Sequence, residues 1–301
     1  MKKIPLIIDC DPGVDDALAI ILANSIEGID IKAITTVSGN ARIEYTTRNA
    51  LLIAELLDLD CIIAKGAEEP LVKPLLTGTN IHGHDGLGGC VKLFPNEIRK
   101  KLSKENAVTV MRDILINSDE KISIAAVGPL TNIAMLLKVY PEVKEKIEQI
   151  SVMGGAIDNG NITACSEFNF YADPEAASIV FNSGVPLIMA GLNLTNNATL
   201  TEEELKEMKA IKTRLADIAV QMTSGYISKD AAIHDPCAIL AISNPEIFEY
   251  KDLYIQIDTR DGITRGMSYA DYRKNYKSNC KVLTKLDVDK FRNFMVRSLR
   301  V

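Results

Sequence analysis

Residues 4–20 read IPLIIDCDPGVDDALAI. A short apolar run leads into Asp9, Asp11, Asp15 and Asp16, four carboxylates within eight residues, and an apolar segment of helical period follows. Read as a strand, the run alternates its side chains, so Asp9 and Asp11 share one face and Cys10 takes the other. Pro12 and Gly13 then turn the chain tightly. Asp15 and Asp16 enter the first turn of a helix, where the positive end of the helix dipole favours carboxylates. Capping accounts for one such acid but not for four. Like charges packed this closely raise one another's pKa unless something neutralises them. A divalent cation is the natural remedy, and an all-oxygen donor set suits calcium or magnesium better than zinc.

Outward from this stretch, short β-branched runs alternate with longer segments of helical period. Strands are predicted at 4–9, 31–37, 61–64, 122–127, 149–154, 185–190, 253–258 and 281–286. Nearly continuous apolar strands separated by helices predict an α/β fold: a single open domain over 1–301 with a mainly parallel sheet flanked by helices on both faces. Ligands of such sheets bind at the carboxyl ends of the strands. The unusual residues gather there: the acids after the first strand, Ser38-Gly39-Asn40 after the second, Gly128-Pro129 after the fourth and Met153-Gly154-Gly155 at the fifth.

Composition narrows the classes of function. Lys+Arg 34 against Asp+Glu 40 leaves a net charge of −6 with no basic block, which argues against a protein that neutralises nucleic-acid phosphates. No stretch reaches the roughly 18 uncharged apolar residues of a membrane span, and the N-terminal apolar run is too short for a signal-peptide core. The six cysteines are scattered with no C-x-x-C pair, so they read as reduced thiols of a cytoplasmic protein. Histidine chemistry is confined to His82, His84 and His234.

The segment DCDPGVDDALA resembles the signature of the inosine–uridine-preferring nucleoside hydrolases, and further segments follow in that family's order. They are TTVSGN ending at Asn40, the glycine-rich IHGHDGLGG with His82, VGPLTNIA from Val127, VMGGA with Met153, NIT from Asn161, EFNFYADPEA from Glu167, and HDPCA from His234. The resemblance runs from about Ile4 to Phe291. It implies a Rossmann-like fold and calcium-dependent cleavage of the N-glycosidic bond of ribonucleosides, with Asp11, Asp16, Asp235 and the main-chain carbonyl of Val127 as ligands to Ca2+. It further implies that Asp15, Asn40 and Asn169 hold the ribose 2′- and 3′-hydroxyls, that Asn161 and Glu167 hold the 5′-hydroxyl, and that Met153 lines the sugar site. Hydrolysis at the anomeric carbon passes through an oxocarbenium-like state. The resemblance implies direct attack by a calcium-bound water whose proton Asp11 accepts.

A departing base leaves more easily once protonated, and histidine donates near neutral pH. His234, beside Asp235, is the first candidate acid, and His82 is the second. Tyr226 is a candidate to stack on or hydrogen-bond the base, while His84 reads as an ordinary loop residue. Purine versus pyrimidine preference stays open, because the segment before His234 looks shorter than in many relatives. The family forms homodimers and homotetramers, which fits a small-molecule enzyme of nucleoside salvage. Two rivals remain: a non-catalytic calcium- or nucleoside-binding protein of the same fold, and a metal-dependent phosphatase. The phosphatase would place Thr or Val where Pro-Gly-Val-Asp-Asp follows Asp11, and would need a Lys or Arg for phosphate beside the acidic motifs.

Overall fold

A computed structural model describes residues 3–273 and 275–300. In chain order the elements are β1 (Ile4–Cys10), α1 (Val14–Ser25), β2 (Ile29–Thr36), α2 (Ile43–Leu56), β3 (Ile62–Lys65), α3 (Thr79–His82), α4 (Ala107–Asn117), β4 (Ile122–Ala126), α5 (Thr131–Val139) and β5 (Ile147–Met153). There follow α6 (Phe168–Ala172), α7 (Pro174–Phe181), β6 (Leu187–Ala190), α8 (Leu192–Thr195), α9 (Glu202–Ala210), α10 (Arg214–Tyr226), α11 (Pro236–Ser243), β7 (Phe248–Ile257), β8 (Ser268–Asp271), β9 (Cys280–Leu286) and α12 (Val288–Arg297).

The strands form one nine-stranded sheet in the order β3-β2-β1-β4-β5-β6-β9-β7-β8. Pairing is parallel from β3 through β9, and β7 runs antiparallel to both β9 and β8. Each of the eight strands expected from the sequence corresponds to one of these. The ninth, β8, was not read: it has four residues, of which only Ser268 is buried, so it carries no apolar run.

The central strands are buried on both faces, as their apolar runs require. Leu6, Ile8 and Cys10 of β1 pack into one core with α1, α10 and α11. Ile7 enters the other core, with α4, α5 and α7. The strand order reverses direction between β1 and β4. Such a switch point opens a crevice at the carboxyl ends of the two strands. The acids of the 4–20 segment emerge there.

Asp9 departs from the expected convergence of acids. It lies under the sheet, where its Oδ1 accepts from Thr35 Oγ1 at 2.5 Å and Asn132 Nδ2 at 2.8 Å. Burial pushes its pKa up to about 7, against the pull of these two hydrogen bonds. Asn132 also donates to the carbonyl of Thr36 and accepts from the amide of Ala67, so it ties β1 to the end of β2 and the turn beyond β3. β1 itself ends at Cys10, and Asp11 belongs to the turn, where strand alternation no longer dictates its direction.

Asn132→Ala should therefore strip three partners from buried groups without opening a large cavity. The expected loss is about 2–4 kcal/mol of stability, read from the midpoint of urea unfolding.

Candidate active site

The turn from β1 to α1 builds the base of the crevice. Asp16 folds back over that turn: its carboxylate accepts from the amides of Asp11 (3.1 Å) and Gly13 (2.9 Å) and from Asn40 Nδ2 (2.9 Å). Asp11 is fully buried, and its Oδ2 accepts the Asn40 amide at 2.5 Å. Two glycines make room for it. A Cβ at Gly39 would stand 2.1 Å from Asp11 Oδ2, and one at Gly128 would stand 2.5 Å from Oδ1.

Carboxylate oxygens of Asp15, Asp16 and Asp235 converge within 4.8 Å of one another, and all three residues are buried. Asp235 arrives from the other side of the crevice, at the start of α11. Burial first, and repulsion among neighbouring acids second, raises the pKa of Asp11 and Asp15, the latter to about 7. Asp235 is raised by the same two causes, and Asp16 by burial against the hydrogen bonds it accepts. Asp11 Oδ1 and Asp15 Oδ1 are buried with no hydrogen-bond partner. Clustered acids with unsatisfied buried oxygens fit a bound divalent cation, which would supply the missing positive charge. The closest convergence includes Asp15, with Asp11 adjoining it.

Above the acids lies a cavity of about 480 Å³, a size suited to a small polar molecule. One end is built from strand-end residues: Asp15, Asn40, Val127, Met153, Asn161, Glu167 and Asn169 all line it. Glu167 caps α6, accepting from the amides of Gly155, Asn169 and Phe170. Asn169 Nδ2 donates to the carbonyls of Val127 (3.0 Å) and Met153 (3.1 Å). The Val127 carbonyl thus already accepts one hydrogen bond, and its second lone pair is what a cation would use. Asn161 is exposed at the rim and accepts from the Phe168 amide.

The rest of the lining comes from α3, α10 and the approach to α11. His82 ends the short α3 and accepts the Val14 amide at Nδ1 (3.3 Å), which leaves Nε2 to carry the ring proton. Burial lowers its pKa to about 3. Tyr226 is buried, with its ring 5.3 Å from that of His82. His234 is gripped on both sides, Nδ1 by Thr195 Oγ1 at 2.8 Å and Nε2 by Asp230 Oδ2 at 3.2 Å. Burial works against its charged form, but the hydrogen bond and charge of Asp230, with Asp15 and Glu167, outweigh it and raise the pKa. His84 stands apart from the cavity, edge-on to Tyr45.

Every residue expected at the site lines the cavity or lies directly beneath it. Sequence reasoning missed Asn80, Thr195, Asn196, Lys229 and Asp230. Asn80 belongs to the same short helix as His82, whose motif could have led to it. The partnership of His234 with Thr195, 39 positions away, left no signal in the sequence. Lys229 bears on the phosphatase rival, since it lines the cavity; its ammonium, however, donates to the Ile81 carbonyl at 3.0 Å. The six cysteines are all free thiols, and among the described residues no helix is long and apolar enough to cross a membrane.

Residues 6–293 match the family described as inosine-uridine preferring nucleoside hydrolase. The pyrimidine-specific ribonucleoside hydrolase RihA of Escherichia coli is 37% identical, over 99% of this chain and 98% of the relative. Among solved structures, the purine-preferring ribonucleoside hydrolase from Gardnerella vaginalis has a TM-score of 0.91 at 32% identity, covering 98% of both chains. The plant nucleoside hydrolase PpNRh1 has a TM-score of 0.90 at 28% identity, covering 99% of both.

The glycine pocket around Asp11 yields a direct test. Gly39→Ala should displace the Asp11 carboxylate and weaken divalent-cation affinity at least about tenfold by isothermal titration calorimetry, while far-ultraviolet circular dichroism stays unchanged.

Proposed function

Because the chain belongs to the family of inosine-uridine preferring nucleoside hydrolases, and so is a ribonucleoside hydrolase, we propose that its acidic cluster holds calcium and that its substrates are pyrimidine ribonucleosides. One observation carries the metal reading: buried Asp15, Asp16 and Asp235 converge at the crevice floor with buried Asp11 in the same turn, and Asp11 Oδ1 and Asp15 Oδ1 have no partner. Asp11, Asp15, Asp16 and Asp235 would hold the ion, together with the Val127 carbonyl. Bound there, calcium would supply the positive charge that lowers the pKa of a water and offsets the clustered carboxylates.

The chain's own residues supply the rest. Asp11, held in place by the Asn40 amide, accepts the proton of the attacking water. Asp15, Asn40 and Asn169 fix the 2′- and 3′-hydroxyls, while Glu167 and Asn161 take the 5′-hydroxyl at the opposite side. Met153 closes the floor beneath the sugar and keeps bulk water from it. The surrounding carboxylates favour positive charge as it develops on the ribose. His234 hands a proton to the departing base, and His82 and Tyr226 wall the base in. Attack by water is direct and inverting, with no covalent link to the enzyme.

The pyrimidine reading is supported by the degree of identity to the Escherichia coli relatives, which cover nearly the full length of both chains. We place the enzyme in the cytoplasm, in nucleoside salvage, as a homodimer or homotetramer. The non-catalytic rival is disfavoured because His234 is kept at the cavity wall with partners on both ring nitrogens.

A panel of ribo- and deoxyribonucleosides, assayed for released sugar with calcium present, tests the assignment. Uridine or cytidine should be cleaved and their 2′-deoxy counterparts poorly so; no release from any N-riboside would end the proposal. Asp11→Ala should abolish both calcium binding and turnover. His234→Ala should retain ribose binding and lose roughly 10²–10⁴-fold in kcat. Chelation should lower the melting temperature and calcium should restore it, because only the folded state brings the acids together.

A further inference from the structure

Asp230 lines the cavity beside the proposed acid, His234. Asp230 follows the C-terminus of α10, and its carboxylate is aimed by two contacts: Oδ1 accepts the Ala232 amide at 3.2 Å, and Oδ2 faces His234 Nε2 at 3.2 Å. The second distance is at the long end for a hydrogen bond to a charged acceptor, so this is the contact that an inserted base edge would exchange for hydrogen bonds of its own. The Asp230 side chain is 29% exposed and the His234 side chain 6%, which places the imidazole inward and the carboxylate outward along the same wall. The neighbouring Lys229 ammonium bridges to the Ile81 carbonyl and is not spent on Asp230.

An ionised carboxylate only accepts hydrogen bonds, and an imidazole N–H donates one. Side by side, acceptor outside and donor inside, they are complementary to an edge that offers an outer N–H beside an inner acceptor. Cytosine presents that edge through its exocyclic amine and adjacent ring nitrogen. Uracil in the same pose opposes a carbonyl to the carboxylate and a ring N–H to the imidazole. It would have to slide by one ring position to recover complementarity, which the anchored ribose resists.

Resting on the nucleoside hydrolase reading above, we propose that Asp230 is a specificity-determining residue that selects amino-substituted over oxo-substituted bases, cytidine over uridine. The same logic ranks adenosine above inosine wherever purines are accepted. Buried polar groups left unpaired or opposed are the strongest source of such discrimination.

The test is the ratio of kcat/KM for cytidine to that for uridine, in the calcium-loaded wild type and in Asp230→Asn. The amide has the same shape but can donate to the uracil carbonyl. The wild-type ratio should be at least about tenfold in favour of cytidine, and Asp230→Asn should reduce it at least about tenfold. A residue that merely steadies His234 would lower both substrates together and leave the ratio unmoved, which would overturn the proposal. So would a wild type that prefers uridine. Should the variant turn over neither nucleoside, the same ratio is read from cytidine and uridine affinities by calorimetry. Failure of the underlying reading looks different: the wild type would then cleave no nucleoside at all.

Discussion

Repulsion among buried carboxylates is the constraint around which the rest of this structure is arranged. Asp11, Asp15, Asp16 and Asp235 are brought out of water and toward one another, an arrangement that costs free energy on both counts. The fold spends several local features on holding it. Asp16 is fixed by two backbone amides and Asn40, and Asp11 by a third amide. Gly39 and Gly128 withhold the side chains that would collide with Asp11. Asp235 is delivered from more than two hundred residues away by the packing of α11 against α1. None of this serves stability by itself. It creates a local demand for positive charge, and that demand is what makes the crevice chemically useful.

The two ends of the cavity differ in how they are built. One set of lining residues stands at or beyond the carboxyl ends of β1, β2, β4 and β5 and at the capped start of α6, so its geometry inherits the rigidity of the sheet. A second set comes from the short α3, the end of α10 and the stretch before α11, joined by the Lys229–Ile81 hydrogen bond. The proposed function assigns ribose to the first set and the base to the second. It also accommodates relatives named for opposite base preferences on one framework.

The fold was legible where physics acts along the chain. Two-sided burial demands continuous apolar runs, so β1, β4 and β5 stand out, and their alternation with helical segments points to parallel pairing. β8 escaped notice because a short, half-exposed edge strand has no such demand on its composition. Asp9 was misjudged for a related reason. Alternation was extended past Cys10, where the strand stops, and Asp9 found a polar niche with Thr35 and Asn132 instead. Asp230 and Thr195 were invisible because their importance lies in which imidazole nitrogen each one meets, a tertiary fact that no spacing records.

Cys10 sits in the core formed with α1, while Asp9 occupies the polar niche on the opposite face. A slip of β1 by a single residue would drive a carboxylate into hydrocarbon and pull the turn acids out of alignment with Asp235. A chain paired in the wrong register would therefore be unable to assemble the cation site. The register of β1 is thus a condition for bringing the turn acids into line with Asp235.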